Sequence, residues 1–379
     1  MNILAVCHFS LYEDLHSSFV HNQIREYAAQ GHKVLCIAPI PFGKSDRNGS
    51  KIGHPVTKTR VDGVEIVDVR FLSLSVWGQK AFNHRSAIAA IRANRKAVLG
   101  DFVPDVIHAH TLGLDSRIGA WLKAEFGCPL VVTTHGSDTV RPLQAGEGHL
   151  LKADCDSCDR LVSVSGPLKQ ALASCGTAIP IEVIHNGFIP REPENAERDP
   201  FGMIQVGHLI ESKHFDTTIR SLARLKERYP RLHLTIVGQG HLRENLQKLA
   251  NDLGVSDRVE FTGPIPNAEV FARMCRNRFF VMASKPEGFG IVYLEAMAAG
   301  CVAVGTADQG IADILRNGEN GFLVEAGDDG AIAEILAEML ENPERSLEIS
   351  KNGQTLARSM TWAETSRQYI QLFDSLIMR

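Results

Sequence analysis

Arg191-Glu-Pro-Glu-Asn-Ala-Glu-Arg-Asp-Pro-Phe-Gly202 is polar, carries two prolines, and is followed at once by the apolar run Met203-Ile-Gln-Val-Gly207. Such a stretch suits an interdomain linker. The segments on its two sides obey the same grammar, in which short apolar runs alternate with helical patterns. Before it come the strand candidates Ile3–Cys7, Val34–Ala38, Val106–His108, Leu130–Thr133, Leu161–Val164 and Glu182–Ile184. Val20, Ile24, Tyr27 and Ala28 form a helical stripe between the first two. Asp62-Gly63, between β-branched runs, predicts a hairpin turn in an antiparallel insert. After the linker, Met203–Gly207 is followed by the stripe Phe215, Ile219, Leu222 and Ala223, which repeats the i, i+4, i+7, i+8 spacing of the first. Strands are expected at Leu232–Gly238, Val259–Phe261, Phe279–Met282, Val302–Gly305 and Phe322–Val324. A closing helix carries Trp362, Tyr369, Phe373 and Ile377. Alternation of this kind predicts βαβ units around parallel sheets, so the fold class is α/β with two domains in series.

A chain of 379 residues agrees with two domains. Its apolar content of 44% and charged content of 22% exclude a wholly disordered chain. A net charge of −4 gives no attraction to nucleic acid, which is not expected as a partner. Residues 41–100 nevertheless hold eleven Lys and Arg against four Asp and Glu. No run of about 20 apolar residues spans a bilayer, and the N-terminus does not read as a secretory signal. The scattered cysteines fit a reducing compartment, so the expected location is cytoplasmic.

The chemistry concentrates in Ser284-Lys-Pro-Glu-Gly-Phe-Gly-Ile-Val-Tyr-Leu-Glu295-Ala-Met-Ala-Ala-Gly300. A strand ending at Met282, a turn through Gly288 and Gly290 and a helix starting near Ile291 leave backbone N–H groups free. These, with the partial positive charge of the helix start, make a cradle for a diphosphate. Glu287 at its mouth and Glu295 one turn inside the helix can accept hydrogen bonds from hydroxyls. On composition alone, a charge beside a helix start and a solvated helix glutamate explain the two equally well.

Two glutamates separated by seven residues in Glu-Gly-Phe-Gly…Leu-Glu-Ala-Met-Ala resemble the donor-site signature of glycosyltransferase family 4, which are retaining transferases of GT-B architecture. Pro104–His110, Val132–Asp138, Val162–Ser165, Val183–Gly187, Val206-Gly207 with Lys213, and Ile236–Gly240 are similar to that family in order and spacing. The resemblance implies two Rossmann-like domains facing each other across a cleft: an acceptor domain over 1–193 and a nucleotide-sugar domain over 200–360. A C-terminal helix, 361–379, would pack back on the first. It implies that Lys213 neutralises the donor diphosphate and Glu287 holds the sugar. Gly288, Phe289, Gly290 and Ile291 would line the phosphate and sugar, Glu295 would hold the ribose, and His135 would face the sugar. His208 falls beside the diphosphate, and Ser17, Ser18 and His110 on the acceptor side.

The chain departs from the family pattern at three points. His208 stands in place of an arginine, His16-Ser-Ser-Phe19 replaces a glycine pair, and Ile189 replaces an aspartate. An imidazole is a poorer diphosphate partner than a guanidinium. The resulting expectation is a metal-independent retaining transferase needing no cofactor, with a UDP- or GDP-linked sugar as substrate. Its acceptor would be a saccharide or a lipid-linked saccharide, and the start of the chain resembles enzymes of capsule, exopolysaccharide or teichuronic acid assembly. A nucleotide-sugar-binding partner subunit without turnover and an epimerase of the same architecture stay open as alternatives. Arg85, Arg92, Arg95 and Lys96 share a stripe beside Ile88, Ile91 and Val98 and suggest contact with an anionic membrane at the inner face of the cell membrane. Core packing with a solvated charged edge explains that stripe equally well. Gly238-Gln-Gly-His-Leu-Arg243 lacks the third glycine of a dinucleotide fingerprint. Asp154-Cys-Asp156 reads as helix surface, and Cys155 with Cys158 is a single CxxC without a second pair.

Overall fold

Residues 1–8, 18–42, 54–73, 80–192 and 197–378 are described by the structure, a computed structural model. The chain divides into two units, Met1–Gly187 with Trp362–Arg379, and Phe188–Thr361.

The strands of the first unit are β1 (Asn2–Val6), β2 (Lys33–Pro41), β3 (Val56–Val61), β4 (Val64–Phe71), β5 (Val106–Ala109), β6 (Leu130–Thr134), β7 (Arg160–Ser163) and β8 (Ile181–Val183). They form one sheet in the order β3-β4-β2-β1-β5-β6-β7-β8. Every pairing is parallel except β3 with β4. The hairpin is as Asp62-Gly63 predicts, with both residues at positive φ (49° and 82°). Only β3 is antiparallel, however: β4 joins β2 in parallel and continues the main sheet. The helical stripe of the first βα unit packs as its spacing requires, with Val20, Ile24 and Tyr27 fully buried on helix Ser18–Ala29. They share one core with Tyr369, Leu372 and Phe373 of the last helix, Trp362–Ile377. That helix is therefore part of the first unit, and the Tyr369 hydroxyl lies 2.9 Å from Thr133 Oγ1 inside it.

The second unit holds β9 (Asp199–Val206), β10 (His233–Val237), β11 (Val259–Gly263), β12 (Asn277–Val281), β13 (Val302–Thr306) and β14 (Phe322–Val324). All are parallel, in the order β11-β10-β9-β12-β13-β14. The strand order reverses between β9 and β12, and in open sheets ligands bind beyond the carboxyl ends of the strands at such a point. In the first unit the equivalent reversal lies between β1 and β5.

The boundary falls earlier than the polar linker suggests. Phe188 is buried, its N–H donates to the Met360 carbonyl at 3.1 Å, and it bridges to Thr361. Apolar capture of Phe188 thus outweighs the polar composition of the residues after it, and β9 begins inside the stretch read as linker. Among the described residues no helix is long and apolar enough to cross a membrane. The basic stripe is split between helices Lys80–Ala93 and Arg95–Leu99. Its apolar side, Ile91 and Val98, is buried in the core, so a membrane is offered only its charges. Two of these are already engaged: Arg92 lies over the Trp121 ring, and Arg95 pairs with Glu125 at 2.6 Å.

Candidate functional site

The loops at the carboxyl ends of β9 and β12 meet at the switch point of the second sheet. After β9 the chain runs through His208 into a single 3₁₀ turn, Glu211–Lys213, which ends at His214 in the left-handed region (φ 47°). The buried Gln205 donates its side-chain amide to the Lys213 carbonyl at 2.7 Å and so fixes this turn from beneath. After β12, the Lys285 N–H donates to the Ser212 carbonyl at 2.8 Å, locking the second loop against the first.

Glycines set how closely these loops pack. A Cβ at Gly238 would lie 1.9 Å from the Gly207 carbonyl oxygen, and one at Gly240 would lie 2.3 Å from that of Leu209. The Gly-Gln-Gly run is therefore a place of close backbone approach, which positions the His208–Lys213 loop and has no need of the missing third glycine. Gly290, at φ 82°, caps helix Ile291–Ala298, and its missing side chain leaves room for the Tyr293 ring.

Within this frame Lys213 Nζ donates to Glu287 Oε2, and both side chains are largely buried. Glu287 also accepts from Ser284 Oγ at 3.2 Å, while its own N–H donates to Gln309 Oε1 at 2.8 Å. Tyr293, fully buried, donates its hydroxyl to the Met282 carbonyl and ties the helix to the end of β12. Phe289 is buried and Gly288 packs against Gly310, so this segment presents backbone rather than side chains. Ile291 is the first helical residue, as expected. Glu295 is half-buried rather than solvated. Burial pushes its carboxyl above the usual carboxylate range, and the Arg191 charge partly opposes that shift. His208 is half-buried in the loop between β9 and the 3₁₀ turn. Lys213, Glu287 and the helix start are thus brought together, with Glu295 one turn further along.

The first unit gathers a second set. His110 follows β5 and His135 follows β6, and their rings stack with centroids 6.0 Å apart. None of the four ring nitrogens has a hydrogen-bond partner among the described residues. His108, on β5, lies 4.0 Å from His110 and bonds Thr133 Oγ1 at 2.8 Å. Burial lowers His135 and His108 to about 3 and His110 well below its ordinary value, so all three are neutral imidazoles. The Asp138 carboxylate holds the loop: it accepts from Leu112 N (3.1 Å), Thr134 Oγ1 (3.0 Å), His135 N (3.1 Å) and Gly136 N (3.0 Å). His110, expected on the acceptor side, is not at a surface. It is wholly buried between His108 and His135. Ser17 lies outside the described residues, and Ser18 is described only by its backbone at a helix start.

Sequence reasoning passed over Gln205, Ser284, Tyr293, Gln309 and Asp138. Asp138 alone carried a local signal, three residues after His135 at a helix start. Gln205, Tyr293 and Gln309 reach partners 8, 11 and 22 residues away, and Ser284, three residues before Glu287, is an ordinary polar residue of the turn. Asp154 and Asp156 are taken up by Arg117 (2.5 Å) and by Lys152 and Thr177, as a helix surface would have them. Among the described residues no cluster suits a metal.

Two family descriptions match adjoining parts of the chain: Glycosyltransferase Family 4 over residues 17–192 and Glycosyl transferases group 1 over residues 189–356. The chain is a GT-B glycosyltransferase of the family 4 type. The transferase is 28% identical over 313 residues to D-inositol 3-phosphate glycosyltransferase 1 of Catenulispora acidiphila, covering 73% of each chain. It is 25% identical over 309 residues to the putative glycosyltransferase EpsD of Bacillus subtilis, covering 76% of this chain and 80% of that one. Its fold is that of HepE from Anabaena, solved in complex with UDP, with a TM-score of 0.75 at 20% identity over 99% of this chain and 100% of the other.

Proposed function

We propose that this transferase moves a sugar, with retention and without a metal, from a UDP- or GDP-linked donor to a saccharide acceptor. The acceptor we assign is lipid-linked, the pathway is synthesis of a bacterial surface polysaccharide, and the enzyme works in the cytoplasm at the inner face of the membrane. The observation that carries the reading is the Lys213–Glu287 contact beside the start of helix Ile291–Ala298, at the switch point of the second sheet. A cation beside a helix start suits a diphosphate, and a carboxylate next to them suits sugar hydroxyls. UDP in the HepE complex supports a nucleotide-linked donor, and the likeness to EpsD supports the polysaccharide branch.

Donor binding transfers the Lys213 charge from Glu287 to the diphosphate and frees the carboxylate for the sugar. Lys213 and the helix start then stabilise the negative charge that grows on the departing diphosphate. An acceptor oxygen attacks the anomeric carbon from the face the diphosphate leaves, and its proton passes to the departing phosphate oxygen. His135, held neutral by burial and fixed through Asp138, offers a hydrogen bond without adding charge.

A panel of UDP- and GDP-sugars, read by mass spectrometry for nucleotide release and by NMR for the anomeric configuration of the product, tests the reading. Release that survives in both Lys213→Ala and Glu287→Ala removes the site assignment. Inversion at the anomeric carbon, or loss of activity with EDTA, removes the mechanism. Binding without release from any donor favours the partner-subunit alternative, which His208 in place of arginine motivates.

A further inference from the structure

The loop that follows β13 lies against the turn that carries Glu287. It leaves the sheet at Ala307, whose N–H donates to the Val324 carbonyl at 2.8 Å. Asp308 then takes the left-handed region (φ 58°), and Gln309 lays its side-chain amide along the Glu287 backbone. Gln309 Oε1 accepts the Glu287 N–H at 2.8 Å, while Gln309 Nε2 donates to the Asp308 carbonyl at 2.8 Å. A reversed amide would set donor against donor and acceptor against acceptor, so both ends of the group are fixed. On the other side of the Glu287 Cα, the Glu287 carbonyl accepts the Gly310 N–H at 3.3 Å. A Cβ at Gly310 would lie 2.1 Å from the Gly288 carbonyl oxygen, so the two backbones are in close contact.

Glu287 is thus held in two separate ways. Its carboxylate is held through Oε2, by Lys213 and by Ser284 Oγ at 3.2 Å. Its peptide groups are held by Gln309 and Gly310. The first hold weakens once a diphosphate draws Lys213 away. The second involves no charge that a donor would claim, so it persists through binding. A carboxylate on an unconstrained turn would lose ordering entropy with each sugar it bound. On a backbone already fixed, only the side-chain torsions remain to be set. Solvent could satisfy the amide of a loop glutamine equally well, and a merely soluble loop would not need one that spans 22 residues to this N–H.

We propose that Gln309 is a positioning residue for the donor sugar: acting through the Glu287 backbone, it keeps the carboxylate aimed after Lys213 has moved to the diphosphate. This rests on the transferase reading.

The test uses the full chain with the donor found by the nucleotide-sugar panel and, separately, with bare UDP or GDP. Gln309→Met keeps the length of the side chain and lacks the acceptor, whereas Gln309→Glu keeps the acceptor. Gln309→Met is expected to lower kcat/KM for the donor tenfold or more, while the calorimetric Kd of the bare nucleotide stays within twofold. Gln309→Glu is expected to recover part of the loss. In a Glu287→Gln background, Gln309→Met is expected to change kcat/KM by less than twofold, because its effect passes through Glu287. A donor kcat/KM unchanged in Gln309→Met overturns the inference. So does a bare-nucleotide Kd that rises in step with the loss, or a further tenfold loss in the Glu287→Gln background. Each of these leaves the transferase reading standing. A wild type that binds no nucleotide sugar by calorimetry overturns the transferase reading and this one with it.

Discussion

Lys213 and Glu287, 74 residues apart in the chain, are in direct contact, and the loops that carry them are pinned together by the Lys285–Ser212 backbone bond. Before any ligand arrives, each of these charges is the other's partner.

Removing either charge should therefore do more to turnover than to the fold. Lys213→Ala and Glu287→Ala are expected to lower kcat by at least a hundredfold, about 3 kcal/mol of barrier. The thermal midpoint should fall by only a few degrees, since the pair is not fully buried. Glu287→Gln keeps the shape and loses the charge, so it separates contact from electrostatics. Steady-state kinetics and scanning calorimetry on the same preparations decide the point.

Gly238→Ala should damage the second unit. Its Cβ would sit 1.9 Å from the Gly207 carbonyl oxygen, and the backbone there (φ 136°) is one that alanine rarely adopts. We expect a loss on the order of 2–4 kcal/mol in denaturant unfolding and weaker donor binding, because Gly207 leads into the Lys213 loop. A wild-type midpoint in the variant would refute the close-approach account.

Asp138→Ala should loosen the first unit at one point. Three backbone N–H groups and the Thr134 hydroxyl lose their shared acceptor, including the N–H of His135 itself. A cost of about 2–4 kcal/mol is expected, together with faster amide exchange at Leu112, His135 and Gly136. Exchange that stays slow at these three would count against Asp138 as the holder of the loop.

Acid should weaken the first unit through its imidazoles. His108 and His135 fall to about 3 in the folded state against about 6.5 unfolded, so the unfolded chain binds more protons between those values. Their contribution is complete above about pH 6.5 and is lost as pH falls towards 3. Each should cost on the order of 1–2 kcal/mol by pH 5. Asp138, raised by burial, works in the opposite sense, so the decisive comparison is with a variant. His110→Leu removes a buried imidazole that makes no hydrogen bond among the described residues. It should be more stable than wild type and show a shallower loss with acid in urea titrations at pH 7.5, 6 and 5. An equal slope would mean that His110 is not among the groups that titrate.

The strands and the Ile291 helix start were legible because period, turn residues and glycine spacing are local signals. The linker boundary was not: Phe188 belongs to the second unit because of a backbone bond to Met360, a contact across most of that unit. Burial of His110 was equally hidden, since a histidine closing a strand reads alike whether solvent or two other rings lie against it. At the donor loops the sequence named the charged pair but not its supports. Gln205, Ser284 and Gln309 are ordinary polar residues whose importance comes only from what folding sets beside them. The basic stripe shows what periodicity leaves open. Its apolar positions were real, but their partner is the core.

The last helix adds a constraint of timing. Tyr369, Leu372 and Phe373 complete the core around Tyr27 and His108, yet they are synthesised after the whole second unit. A nascent chain that has emerged as far as Gly187 thus carries an uncapped apolar face, and the second unit can finish folding before the first does. The half of the enzyme made earliest is therefore closed by residues made after the second unit.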